Sequence, residues 1–457
     1  MNIKMRSYKI IFLIICFWGN LLYSQSTGLS IAENFISVKN YVSKGADTLI
    51  KQPLWTVQYF DGIGRIKQTI NVKSTPSGKD LITHIEYDQY GRQAKEYLPV
   101  PQQTTQNGAI NYNPLNNATN PAVYGTEKIY AEKIFENSPV ERVQRQIQLG
   151  NDWSNKSTQF NYDRNTAGEV KKYVTTTTWV NGATSSLLTV SGTYGNNQLY
   201  KNTKLDEDNY QVINFVDGEG RTILNRKVIS ASENADTYYV YNEYDQLSFV
   251  IPPLASASGN TDGTTLNALC YQYRYDNKSR LVEKRPPGKD DWEFLVYDKQ
   301  NRIVLTQDPM MGSLNNNFNK KGWIFTKYDQ FGRIVYTGFF ANSATRTAMQ
   351  TALNNMAANP GNNESRSTTP FNLNGIDIFY TKNAFPTGSM TLLSINYYDA
   401  YPLGAPILPG QILGQDVMQD APNSSLNTKS LPLATFIKIL MMKIGLKILT
   451  DMILKAD

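Results

Sequence analysis

One spacing recurs along this chain and limits what it can fold into: an aromatic or apolar residue, then Asp, three residues, then Arg. The strong copies are YFDGIGRIKQTI (Asp61, Arg65), YDQYGRQAKEYL (Asp88, Arg92), FVDGEGRTILNRKV (Asp217, Arg221), YDNKSRLVEKRPP (Asp276, Arg280), YDKQNRIVLTQDP (Asp298, Arg302) and YDQFGRIVYTGFF (Asp329, Arg333). The aromatic residue closes one strand. Asp opens a tight turn, because its carboxylate can accept backbone N–H bonds. The fourth turn residue is Gly64, Gly91, Gly220 or Gly332 in four copies. That position calls for positive φ, as in a type I turn followed by a bulge. Asn301 also tolerates that conformation, and Ser279 does so poorly. Arg then starts the return strand, so each copy reads as a β-hairpin. One hairpin buries too little to stand alone, but many side by side can make a core. The abundance of Tyr, at 29 residues, and of Gly, at 30, agrees with strands joined by turns. The expected fold class is all-β, with repeated antiparallel hairpins in one curled, elongated sheet forming a partial shell, plus one short helix. Weaker cousins of the pattern lie near Asp163 and Asp245.

This Tyr-Asp-x-x-Gly-Arg pattern resembles the YD repeat of bacterial Rhs proteins and, more distantly, of teneurins. The resemblance covers roughly residues 31–435. It implies the N-terminal part of a large secreted Rhs-type protein. Members of that family form a long β-sheet that spirals into a hollow shell. In many, the shell encloses a C-terminal toxin, and a terminal core segment cleaves itself. Only TQDPMMG (Thr306–Gly312) looks slightly like that core segment, and its mid-chain setting favours an ordinary turn.

The chain divides into six expected segments. Residues 1–24 read as a signal peptide: Lys4, Arg6 and Lys9 precede an apolar run from Ile10 to Tyr23, with cleavage between Ser24 and Gln25. That run is too short for a membrane span, which needs ~20 apolar residues. Residues 25–130 form an N-terminal β module with the first hairpins, and 131–342 continue the repeat sheet. Residues 104–122, rich in Asn, Pro and Thr, read as a loop. Residues 343–360 are a helical insertion, with a Ser343 cap and Met349, Leu353 and Met356 at helical spacing. Residues 361–437 add β and loop structure.

Residues 438–457 break abruptly from the rest. This tail, ending ILMMKIGLKILTDMILKAD, lacks aromatics and holds three of the eleven Met. Back-translated from Ile439 and read one base earlier with permitted codons, it can end Tyr-Asp-Thr-Lys-Gly-Arg, another copy of the repeat. A one-base loss near codon 438 is therefore expected, making the product truncated; a genuine amphipathic helix that contacts a membrane or partner is the alternative.

Charge and rare residues exclude several functions. The basic leader carries three positive charges and the last twenty residues a net two, which leaves the body near +1 out of +6. Nothing here points to nucleic acid. After cleavage Cys270 is the only Cys and His84 the only His. Multi-His and Cys/His metal sites are excluded, and a His-based triad is disfavoured. No catalytic, cofactor-binding or metal-binding residue is assigned. A carboxylate-pair glycosidase needs only two acids and stays open. The repeated Asp and Arg read as structural turn residues. The expected product is a secreted or cell-surface, non-enzymatic scaffold without cofactors and without a stable membrane span. Its expected partners are a missing C-terminal region or effector cargo. A glycan- or protein-binding adhesion module is the alternative, with Tyr side chains stacking on sugars.

Overall fold

The computed structural model describes residues 28–40, 54–405, 409–412, 415–418, 428–438 and 445–449, with the side chains of 412–416 and 445–449 left aside. The expected signal peptide and most of the tail lie outside these residues. The chain forms two compact units, one built mainly from residues up to Asn161 with Lys204–Tyr210, the other from Tyr162–Thr203 and Gln211 onward.

In the first unit a five-stranded antiparallel sheet runs Asn34–Asn40, Leu54–Phe60, Ile66–Val72, Leu81–His84, Val100–Pro101. Alternation sets its inner face: Val57, Tyr59, Ile70, Val72 and Ile82 are buried with Leu29 and Ile110. The buried Tyr59 hydroxyl donates to the Gly108 carbonyl at 2.7 Å, which ties the 104–122 segment to the sheet.

The second unit is a succession of antiparallel hairpins in sequence order: Gln211–Val216 with Thr222–Val228, Asn234–Tyr241 with Leu247–Ile251, and Tyr271–Tyr275 with Leu281–Arg285. Glu293–Tyr297 with Ile303–Gln307 and Gly322–Tyr328 with Ile334–Ala341 follow. Each hairpin also pairs with the next, so the ladder is continuous from Gln211 to Ala341 and then to Met390–Tyr398. The chain is thus mostly antiparallel β. Its largest apolar cluster gathers Trp323, Phe325, Tyr336, Ile378, Ile395 and neighbours.

Among the described residues three short α-helices interrupt the strands, two more than the sequence suggests: α1 (Pro253–Ser258), α2 (Gly263–Leu269) and α3 (Arg346–Asn354). The first starts with Pro at its first position, and Asp262 caps the second by accepting from the Thr265 N–H at 2.8 Å. The third is the expected insertion helix. Its cap is Thr345 rather than Ser343, since Thr345 accepts from the Ala348 N–H. Met349 and Leu353 face the core as their spacing requires. Gly445–Leu449, within the expected tail, is not helical. It pairs antiparallel with Pro432–Lys438.

Candidate functional site: a relay of Asp–Arg turns

All six Asp-x-x-x-Arg copies close in the same geometry. The Asp N–H donates to the Arg carbonyl at 2.8–3.0 Å, and the fourth residue's N–H donates to the Asp carbonyl at 2.9–3.2 Å. Asp Oδ1 accepts two further backbone N–H groups, from the third residue at 2.9–3.1 Å and from Arg itself at 2.8–3.0 Å. Asp Oδ2 accepts the Arg Nε–H at 2.7–2.8 Å. One carboxylate therefore binds the whole turn. The fourth residues are left-handed in every copy: Gly64, Gly91, Gly220 and Gly332, but also Ser279 at φ +57° and Asn301 at φ +62°. In the five copies whose strands flank the turn directly, the register shifts one residue before Asp, which is the expected bulge.

The aromatic residue has a role that its own hairpin does not reveal. Each Arg guanidinium lies over the aromatic ring that precedes the next turn in the row. Arg65 lies 4.1 Å from the Tyr87 ring centre, and Arg92 lies 4.6 Å from Phe135. Arg221 lies 5.1 Å from Tyr241, and Arg280 lies 4.8 Å from Tyr297. Arg302 and Arg333 lie 4.6 and 4.5 Å from Tyr328 and Tyr398. The Tyr hydroxyls complete the link. Tyr87, Tyr297, Tyr328 and Tyr398 donate to the carbonyls of Ile66, Leu281, Ile303 and Ile334 at 2.7–3.1 Å. Each acceptor directly follows the Arg of the preceding turn. Asp thus holds its own Arg, and Arg with its neighbour's carbonyl holds the next Tyr.

Four steps of the row lack the consensus. At the cousin near Asp245 the turn is Asn242 to Gln246. Asn242 Oδ1 accepts the Tyr244 and Gln246 N–H groups at 3.0 and 2.9 Å, and its Nδ2 donates to Gln246 Oε1 at 2.9 Å. This is a neutral copy of the Asp–Arg turn, and Asp245 occupies its left-handed position at φ +65°. Tyr275 donates to the Leu247 carbonyl, so the link continues through it. After Phe135 a wider turn uses Glu136, which takes a two-pronged bond from Arg142 at 2.8 Å each. After Tyr398, Asp399 receives Arg333 from the previous turn at 2.9 and 2.7 Å. Asp206 to Tyr210 repeats the backbone pattern without Arg, with Asn209 left-handed. Asp163, in contrast, is an exposed residue within strand Thr158–Arg164 and caps no such turn.

Electrostatics follow the contacts. The Arg65 backbone N–H and then its guanidinium hold the Asp61 carboxyl below the usual carboxylate range, and Arg92 does the same for Asp88. Arg142 and Ser138 bring Glu136 down to about 2. Bonds from Arg333 also depress Asp399.

Two buried ionic clusters lie off the row and carry no sequence signal. Lys327 occupies an inward position in strand Gly322–Tyr328, in line with Trp323 and Phe325, and both it and Glu364 are 0% exposed. Glu364 accepts from Lys327 Nζ at 2.9 Å, Tyr336 Oη at 2.9 Å, Thr381 Oγ1 at 2.6 Å and the N–H groups of Asn383 and Ala384. Lys327 also donates to the Ala384 carbonyl. Burial pulls the Lys327 amine down and pushes the Tyr336 hydroxyl up. Elsewhere Glu283 accepts Arg346 Nε at 2.8 Å and Arg274 at 3.0 Å.

His84 is half-buried at the end of its strand, 3.7 Å from a Glu86 oxygen and against the Tyr97 ring. Cys270 is fully buried, and burial pushes its thiol up to about 11. Asp308 of TQDPMMG accepts from the Met311 N–H at 2.7 Å in a turn. Among the described residues no three His, Cys, Asp or Glu side chains come together as a metal centre would need, and no helix is long and apolar enough to cross a membrane.

Residues 36–166 match the family described as Domain of unknown function (DUF6443). That span includes the Asp61 and Asp88 turns. The chain matches no curated protein. Similar solved structures include TcdB2-TccC3-TEV, at TM-score 0.47 and 10% identity over 93% of this chain, and TcdB2-TccC3, at TM-score 0.47 and 11% identity over 91%. The Photorhabdus luminescens Tc holotoxin pore aligns at TM-score 0.43 and 10% identity over 90%. The chain spans 16%, 17% and 19% of those chains, respectively.

Proposed function

We propose that this chain is part of a secreted, non-enzymatic scaffold of Rhs type, whose intact form encloses or presents a C-terminal effector. The relay carries the reading. Asp, Arg and Tyr recur because each hairpin fastens the next, which is the work of a wall rather than of a reaction centre. Supporting it, the one Cys among the described residues is buried with a raised thiol. The one His ends a strand, 3.7 Å from a Glu86 carboxylate oxygen and against the Tyr97 ring. On this reading residues 438–457 are an out-of-frame tail, and the cargo is encoded beyond it.

Sequencing the DNA across codon 438 and downstream in independent isolates is the direct test. The expected result is a shifted frame that stays open and adds further Asp-x-x-x-Arg copies. Co-expressing that downstream product with the chain then protects it from added protease. Early stops in the shifted frame refute the truncation, and a fully digested downstream product refutes the enclosing role.

A cell-surface binding module is the second reading. It is favoured by the exposed Trp179 and Tyr244, whose rings lie 5.8 Å apart with Trp179 Nε1 donating to Tyr244 Oη.

A further inference from the structure

The 104–122 segment folds against the first unit's sheet and leaves a cavity of about 350 Å³ beside Asp80. That is the small end of ligand-site volumes. Its chemistry is narrow. Of its lining residues only Ile82 is apolar, and none is Lys, Arg or His. Asp80 is its one charge and is buried. Its oxygens already accept the Lys73 N–H at 2.9 Å, Thr105 Oγ1 at 2.7 Å and the Gln106 N–H at 2.8 Å. Asp80 is thus engaged in holding the rim, which leaves it poorly placed to take a cation, and its charge disfavours anions.

The other groups are amides of two kinds. Gln102 and Asn111 are fixed: Asn111 Nδ2 donates to Gln102 Oε1 at 2.8 Å, and Gln102 Nε2 donates to the Val100 and Pro114 carbonyls. Behind them buried Asn117 donates to the Pro101 carbonyl at 2.6 Å and keeps Oδ1 without a partner. Gln103, Gln106, Asn113 and Asn116 line the same cavity, are exposed, and their side chains make no bond to the described protein. Each offers a donor and an acceptor on one group, which matches adjacent hydroxyls that both donate and accept.

We infer that this cavity is a binding site for a neutral saccharide. It lies within residues 36–166 and is independent of the scaffold reading, which rests on the turns.

The test is saturation-transfer NMR and calorimetric titration of the whole chain. The probes are glucose, galactose, mannose, N-acetylglucosamine, maltose and cellobiose, with galacturonate and inorganic phosphate as anions. The expected result is saturable binding of at least one neutral sugar. The double variant Gln103→Ala/Asn116→Ala weakens it at least about tenfold, the scale of one or two lost hydrogen bonds. Both side chains are exposed and unbonded, so the fold is retained, which circular dichroism checks. Trp179→Ala leaves binding unchanged. The inference is overturned if no neutral sugar binds, if an anion binds more tightly than every neutral sugar, or if the double variant binds like the unaltered chain. Binding lost in Trp179→Ala alone overturns it too, and assigns the sugar to the exposed aromatic pair.

Discussion

Replacing Asp276 by Asn tests whether charge or shape holds a turn. Asn keeps an oxygen for the Lys278 and Arg280 N–H groups, both at 2.9 Å. Its amide nitrogen then faces the Arg280 Nε and terminal nitrogen, now 2.8 and 2.7 Å from Oδ2, so donors meet donors. The two side chains are only 10% and 16% exposed, and water does little to rescue the guanidinium. Losing the partner of such a charge costs about 2–4 kcal/mol. The double variant Asp276→Asn/Arg280→Gln copies the Asn242–Gln246 turn of the neighbouring hairpin. It removes the stranded charge. It gives up the stack on Tyr297 and the bonds to the Asp298 carbonyl and Asn301 Oδ1 at 3.3 and 3.0 Å. Those losses amount to about 1–2 kcal/mol. The single variant is therefore the less stable of the two. Urea titration combined with hydrogen exchange of the Tyr271–Arg285 hairpin measures the difference. A double variant as unstable as the single one, or more so, refutes the account.

Four further outcomes follow from the same contacts. Gly220→Ala meets no atom within 4 Å of its new Cβ, so at φ +85° it costs only backbone strain, about 1 kcal/mol by thermal or urea melting. Tyr328→Phe keeps its ring beneath Arg302 but frees the Ile303 carbonyl, costing about 1 kcal/mol and raising exchange in both linked hairpins. Glu364→Gln strands buried Lys327 and costs about 3–5 kcal/mol in the same melts, whereas Lys327→Met with Glu364→Gln recovers part of that loss. Acid weakens the first unit late: Asp61 and Asp88 sit below 3.8 and Glu136 falls from 4.5 to about 2, so their stabilisation is complete above the unfolded values. It is lost as pH falls through the depressed folded ones. Protection factors of the 61–65 and 88–92 amides, corrected for intrinsic rates, therefore hold from about pH 7 to 5, and loss within that range contradicts the assignment.

The hairpins are legible in the sequence because every bond that closes the turn joins residues no more than four apart. The Tyr of the motif is not, because its partners lie in the preceding hairpin: Tyr398 meets Arg333 across 65 residues, over the α3 insertion. The cousin near Asp245 is weak in the sequence because the neutral Asn242–Gln246 pair performs the same hydrogen bonding without either charge. Lys327 occupies a strand position that alternation assigns to the core, and only Glu364, 37 residues on, makes it tolerable there. The 104–122 stretch reads as loop by composition, and it is irregular backbone apart from one 3-10 turn at Asn116–Thr119. Its side chains nevertheless assemble the cavity at Asp80, because Tyr59 and Asp80 pin it to the sheet through bonds that no local pattern announces.

The relay also has a direction. Each Arg is positioned by its own Asp, entirely within its turn, and the aromatic ring that covers it comes later in the chain. As synthesis proceeds, every completed turn presents a finished socket before its occupant exists. For Arg280 and Arg302 the next hairpin to emerge supplies the plug. From Arg280 to Tyr328 each socket waits only for the hairpin that follows it, whereas the Arg333 socket stays open until Tyr398 arrives beyond the α3 insertion, and a mispaired hairpin leaves its Arg uncovered at the step where the error occurs.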